Sequence, residues 1–210
     1  MAIATRHLKV LISSKQAEFA AERADIVRIM RPLPLLIASA AEDWAPESMP
    51  INERSIVEAM DCSIYVGLFG CVYSAPAVME YELAHQNPQR ELLIYVKSCT
   101  HRDATLAQFL KQLSDSRSGH TVQEFNDWSD VRDRFADHLW DAIGRMIERL
   151  LRLANPPVPM GPGSVLIRKW QHERDALVAL GLPGDPREAA DLASDLERLR
   201  SARRRHTAGP

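Results

Sequence analysis

Four short stretches of almost unbroken apolar residues constrain this chain most: Leu8 to Ile12 (LKVLI), Leu33 to Ala38 (LPLLIA), Ile64 to Phe69 (IYVGLF) and Leu92 to Val96 (LLIYV). Each is too short for a helix and lacks the in-out alternation of a strand with one wet face. That is the pattern of parallel strands covered on both sides. The same runs are far too short to cross a bilayer, so no membrane partner is expected.

Helical periodicity fills the gaps between the runs. Phe19, Arg23, Ile26 and Met30 keep one face, with Ala20, Ala24 and Val27 widening it; Ile51 to Met60 and Ala77 to His85 follow. Thr105 to Leu113 reads as another helix, His120 to Phe125 (HTVQEF) as an edge strand, and Val131, Phe135, Leu139, Ile143, Met146 and Leu150 as the stripe of a long closing helix from Ser129. Strand alternating with helix predicts a flavodoxin-like, doubly wound parallel sheet of about five strands.

Residues 154–163 (ANPPVPMGPG) hold four prolines and two glycines, which marks a linker after an α/β domain over residues 1–153. Beyond it, Val165 to Leu180 and Arg187 to Arg205 predict a C-terminal helical hairpin, the second helix opened by Asp185 as N-cap and Pro186 at its first position. Ala189, Leu192, Leu196 and Leu199 make a narrow stripe suited to another helix, so residues 164–205 are expected to meet a partner helix or a second copy of the chain.

A domain of about 150 residues buries roughly 70% of its unfolded surface and needs neither disulfide nor metal to hold together. The formal charge of −2 offers no general attraction for nucleic acid, and the terminal RLRSARRRH reads as a solvated tail. The odd number of cysteines, Cys62, Cys71 and Cys99, matches no zinc spacing, and nothing at the N-terminus has the layout of a signal peptide. A reduced, cytoplasmic chain is the expectation. The seven histidines form no H-E-x-x-H or i, i+4 pair, so no metal site is assigned.

In an open parallel sheet, ligands bind where the loops diverge beyond the carboxyl ends of the strands. The loops in question contain Ser13, Ser14 and Lys15; Glu42, Asp43 and Trp44; Gly70, Cys71, Val72, Tyr73 and Ser74; and Lys97 and Ser98. Helix starts collect acids for electrostatic reasons, so by position alone Glu80 reads first as a solvated acid near a positive helix end. The second reading is a carboxylate leaning back over the crevice, because helical side chains tilt toward the N-terminus. Ser13 and Ser14 serve equally as strand-end or capping residues, and Trp44 and Tyr73 as packing or stacking groups.

The ordered set KVLISSKQAEFAAERADIVRIM, AEDWAP, SIVEAMDCSIYVGLFGCVY, MEYELA and ELLIYVKS resembles a bacterial family of unknown function related to Toll/interleukin-1 receptor (TIR) domains and nucleoside 2-deoxyribosyltransferases. That family often supplies the N-terminal module of defence-type signalling NTPases, and the resemblance covers about residues 6–150. It implies a nucleotide or NAD as substrate or ligand, with no further cofactor, and Glu80 as the catalytic group at an N-glycosidic bond. Ser13, Ser14, Asp43, Trp44, Gly70, Tyr73 and Ser74 are the candidate ligand-binding residues. Glu22 and Arg23 match the family's paired acid and base in the first helix. Ala75, Ala77 and Val78 stand where members commonly carry Ser and Thr-Glu, which leaves fewer polar groups to orient a sugar. A non-catalytic interaction or oligomerisation module is the alternative.

Overall fold

The computed structural model describes residues 7–46, 48–114, 120–155, 165–180 and 182–207. Strands β1 (Leu8–Ser14), β2 (Leu36–Ser39), β3 (Ile64–Phe69), β4 (Glu91–Lys97) and β5 (Val122–Phe125) alternate with helices α1 (Ala20–Met30), α2 (Ile51–Asp61), α3 (Ala75–His85), α4 (Ala104–Leu113) and α5 (Ser129–Ala154). All neighbours pair in parallel, in the order β2-β1-β3-β4-β5. This is the flavodoxin-like arrangement that the alternation of elements predicts.

The apolar runs behave as strands with two dry faces. All of β3 is buried; Ile64, Val66 and Leu68 join a core shared with α1 and α5, whereas Tyr65 and Phe69 join a second core under α2, α3 and α4. Gly67 lies between these rings, where a Cβ would come within 2.7 Å of the Tyr65 ring. That glycine lets the Tyr65 ring lie close to the strand, with its hydroxyl donating to the Ala77 carbonyl at 3.3 Å.

At the opposite end of the sheet, Arg90 fixes two helices at once. Its guanidinium donates to the carbonyls of Met60 in the last turn of α2 and of Cys62 just after it, and of Leu83 and Ala84 in α3. Those are the groups that a helix C-terminus leaves without intrahelical partners, and a cation there also complements the helix dipole.

Two expectations are corrected. The second strand is Leu36–Ser39 rather than residues 33–38. Pro34 has no N–H to give a ladder, and the Leu36 N–H instead donates to the Leu33 carbonyl at 3.0 Å, closing a turn before the strand begins. The reduced chain is not observed either: Cys71 and Cys99 form a disulfide with a Cα separation of 5.7 Å. They are 28 residues apart in sequence, but β3 and β4 are parallel neighbours, so the loops leaving their carboxyl ends meet.

Beyond Asn155, the expected linker lies outside the described residues. Helices α6 (Val165–Ala179) and α7 (Pro186–Thr207) follow, the latter capped by the Asp185 carboxylate, which accepts from the N–H groups of Arg187 and Glu188. Ala189, Leu192 and Leu196 are buried in the same core as Leu139, Ile143 and Leu150 of α5. Gly144 gives the Arg200 guanidinium room against α5, where a Cβ would sit 3.0 Å from it. The partner helix that the stripe calls for is therefore α5 of the same chain. No helix among the described residues is long and apolar enough to cross a membrane.

Leu196 is 1% exposed, so Leu196→Ala is expected to lower the denaturant-unfolding free energy by about 2–5 kcal/mol. A loss below about 1 kcal/mol would mean that α7 is not docked on α5 in solution.

Candidate functional site

The sheet order places the topological switch between β1 and β3: the chain moves from β1 out to β2, then returns past β1 to build the other half. The loops diverge there and leave a cavity of about 370 Å³ lined by Ser14, Arg23, Trp44, Ser55, Ser74 and Glu80 among others. Larger spaces exist, including one of about 430 Å³ between β4, β5 and α5. The cavity at the switch is distinguished by a buried acid in its wall rather than by its size.

Glu80 is 8% exposed. The tilt of side chains toward the start of α3 carries its carboxylate back to the end of β1, where the Ser13 hydroxyl donates to Oε2 at 2.5 Å. Burial dominates its protonation and raises its carboxyl above the usual glutamate value; the Ser13 and Ser55 hydroxyls and the Arg23 charge pull the other way. Behind Ser13, burial likewise pushes the Tyr65 phenol well above the usual tyrosine value, chiefly by desolvation. Glu82, two residues along, faces solvent.

Arg23 forms the adjoining wall. It is 2% exposed and donates to the Ile12 carbonyl at 2.8 Å, to Ser14 Oγ at 3.1 Å and through both Nε and Nη2 to Glu42. A planar guanidinium in a bidentate pair satisfies the charge that burial would otherwise penalise. Its partner Glu42 has its carboxyl held below the usual range; burial alone would raise it, but the hydrogen bonds and charge of Arg23 prevail. Glu22, the other member of the sequence pair, turns to Lys97 at 3.2 Å instead.

Trp44 is oriented by the Ser39 hydroxyl, which accepts from its indole N–H at 3.1 Å and donates to Glu58 at 2.7 Å, with Lys9 closing on Glu58 at 3.2 Å. The Arg54 guanidinium lies 4.8 Å from the Trp44 ring centroid.

Of the residues singled out in the sequence, Ser14, Lys15, Arg23, Trp44, Ser74 and Glu80 line the cavity and Ser13 stands directly behind Glu80. The others lie elsewhere. Asp43 borders a neighbouring cavity of about 400 Å³ on the far side of the Arg23–Glu42 pair. Tyr73 packs against the second core. Gly70 lies under the Glu18 carboxylate, where a Cβ would be 2.0 Å from Oε1. Ser55 was not singled out; on α2 it shares the buried face with Glu58 and Ala59, and a lone serine amid charged residues carries no sequence signal for that position.

Fold and crevice together define a flavodoxin-like α/β protein with a desolvated carboxylate at its strand switch point. No family model, curated protein or solved structure matches the chain.

The raised Glu80 carboxyl has a sign that stability measurements read. The folded state holds that proton more tightly than the unfolded chain, so ionised Glu80 lowers stability above its folded pKa, and the penalty disappears below the ordinary carboxylate value. Glu80→Gln is expected to melt above the wild type at neutral pH, with the gap closing as pH falls through the carboxylate range. Melting several degrees below the wild type at neutral pH would contradict a desolvated acid.

Proposed function

We propose that the crevice binds a nucleotide or an NAD-like molecule and that Glu80 acts at the anomeric carbon of its N-glycosidic bond, as part of a TIR-like signalling or defence domain. The observation that carries this reading is the position of Glu80: a carboxylate held by Ser13 in the wall of the cavity at the switch point.

The neighbouring groups suit the parts of such a ligand. Trp44, fixed through Ser39, offers an aromatic surface for a base, and the exposed Lys15 at the rim offers a cation for phosphate. In the reaction the bond from the anomeric carbon to the base nitrogen breaks, and the base leaves with the electron pair. Ionised Glu80 either stabilises the oxocarbenium-like carbon or bonds to it, and water then supplies the oxygen that replaces the base, losing a proton. Ser13 fixes one carboxylate oxygen while this happens.

A second reading, recognition without turnover, draws on the first turn of α3. Ala75, Pro76, Ala77 and Val78 bring no hydroxyl or acid to orient a sugar. Assembly of copies through residues 164–205 would need a face other than the one α7 buries on α5.

Incubation of the full chain with NAD and common nucleotides, followed by chromatography of nicotinamide or free base, tests the proposal. Base release is expected, falling by roughly a hundredfold or more in Glu80→Gln. The rate is expected to climb with pH through the raised Glu80 carboxyl, because the ionised form acts. Release that survives Glu80→Gln removes this residue from the chemistry; a ligand that co-purifies intact and is never cleaved selects the recognition reading.

A further inference from the structure

A second cluster lies just outside the crevice, on the loop that leads from β3 into α3. Cys71 on that loop is joined to Cys99 on the loop after β4, and the Glu18 carboxylate, from the connection between β1 and α1, lies against both. One ligand atom from each of Glu18, Cys71 and Cys99 lies within 4.8 Å of the others, and all three residues are half-buried. We infer that this is a redox-gated zinc site: closed as the Cys71–Cys99 disulfide, and once reduced, able to hold a zinc ion through two thiolates and the Glu18 carboxylate.

Glu18 is placed in advance. Its Oε1 accepts from the Cys71 N–H at 2.6 Å and its Oε2 from the Val72 N–H at 3.4 Å, and Gly70 leaves the space it occupies. The two loops do not depend on the disulfide alone. The Asp103 N–H donates to the Cys71 carbonyl at 2.9 Å, and Arg102 bridges the carbonyls of Gly70 and Lys97. Opening the S–S bond therefore leaves the sulfurs facing each other.

A Cα separation of 5.7 Å accommodates either state. Two thiolates on tetrahedral zinc stand roughly 3.7 Å apart, from Zn–S bonds of about 2.3 Å, which side-chain rotation supplies. Sulfur ligands select zinc over magnesium or calcium, and a third ligand from Glu18 leaves the fourth position for water.

The gate is a thiol–disulfide exchange. A dithiol reductant gives two electrons and two protons to the cystine, becoming a cyclic disulfide itself, and Cys71 and Cys99 become thiols. Zinc then displaces the two thiol protons. Without the cation, two thiolates beside a carboxylate would repel one another, so the metal is what favours the ionised pair. A reducing compartment opens the site and an oxidising one closes it. The remaining cysteine, Cys62, is buried with its thiol pushed up to about 12, and takes no part.

The test uses the full chain before and after treatment with dithiothreitol, with the reductant removed under nitrogen. Of three cysteines, two are paired and one is free, so the thiol count of the denatured protein should rise from one to three. Reduced protein should take a single zinc from a chromophoric chelator, and oxidised protein none. Cobalt in place of zinc should give thiolate-to-metal charge-transfer absorption. Cys71→Ser and Cys99→Ser should abolish both signals, and Glu18→Gln, which keeps both thiols, should weaken zinc by roughly tenfold or more. Circular dichroism confirms that each variant is folded.

The pair His85 and His120, with ring nitrogens 3.0 Å apart at the end of α3 and just before β5, is the rival ligand set. His85→Ala with His120→Ala should leave zinc uptake unchanged. A thiol count unaltered by reductant, equal zinc uptake by oxidised protein, or uptake that follows the histidines rather than the cysteines would each overturn the inference.

Discussion

A carboxylate removed from water must be held by other groups or remain protonated, and the hydrogen bond from Ser13 to Glu80 answers that requirement here. The contact joins the end of strand β1 to the second turn of α3, across the place where the chain reverses its direction of sheet building. It therefore fixes the distance between the β1 and β3 loops, and with it the width of the cavity they enclose. Arg23 works from the adjoining wall in the same way, tying the Ile12 carbonyl and Ser14 to Glu42 beyond β2. The mouth of the sheet is shaped by polar contacts, while the apolar strands carry the stability beneath it.

Helix α2 shows what this arrangement demands of the sequence. Its inward face contains Ser55, Glu58 and Ala59, whereas Val57 and Met60 are 41% and 55% exposed. An ordinary amphipathic helix would place those residues the other way round. The inversion follows from what lies beneath it: Ser55 borders the crevice, and Glu58 pairs with Lys9 and accepts from Ser39, the hydroxyl that in turn accepts from the indole of Trp44. Stability is exchanged for a polar lining.

The elements were legible because their causes are local. Unbroken apolar runs and helical stripes gave every strand and helix to within a few residues, and the alternation of the two gave the parallel sheet. The apolar run alone places β2 too early, because hydrophobicity does not register the missing N–H of Pro34. For Glu80 the tilt of helical side chains allows a carboxylate leaning over the crevice, but position alone reads first as a solvated acid at a helix start, and only its burial in the folded chain decides between the two. Ser55 was hidden because it lies on an inverted helix, and hydrophobic periodicity points to the wrong face there. The disulfide was hidden because cysteine spacing along the chain says nothing about two loops that meet only through strand order. The apolar stripe on α7 was read correctly as a contact surface, but a stripe does not state which helix covers it; the buried side chains of α5 do.

The central claim is that Glu80 is a water-excluded acid in the crevice wall, and the most direct measurement is its own titration by carboxyl-carbon NMR with labelled glutamate, assigned by comparison with Glu80→Gln. A titration midpoint above that of an exposed glutamate is predicted, with the resonance moving when NAD or a nucleotide is added. A midpoint at or below the ordinary value, in a signal indifferent to those ligands, would contradict the account.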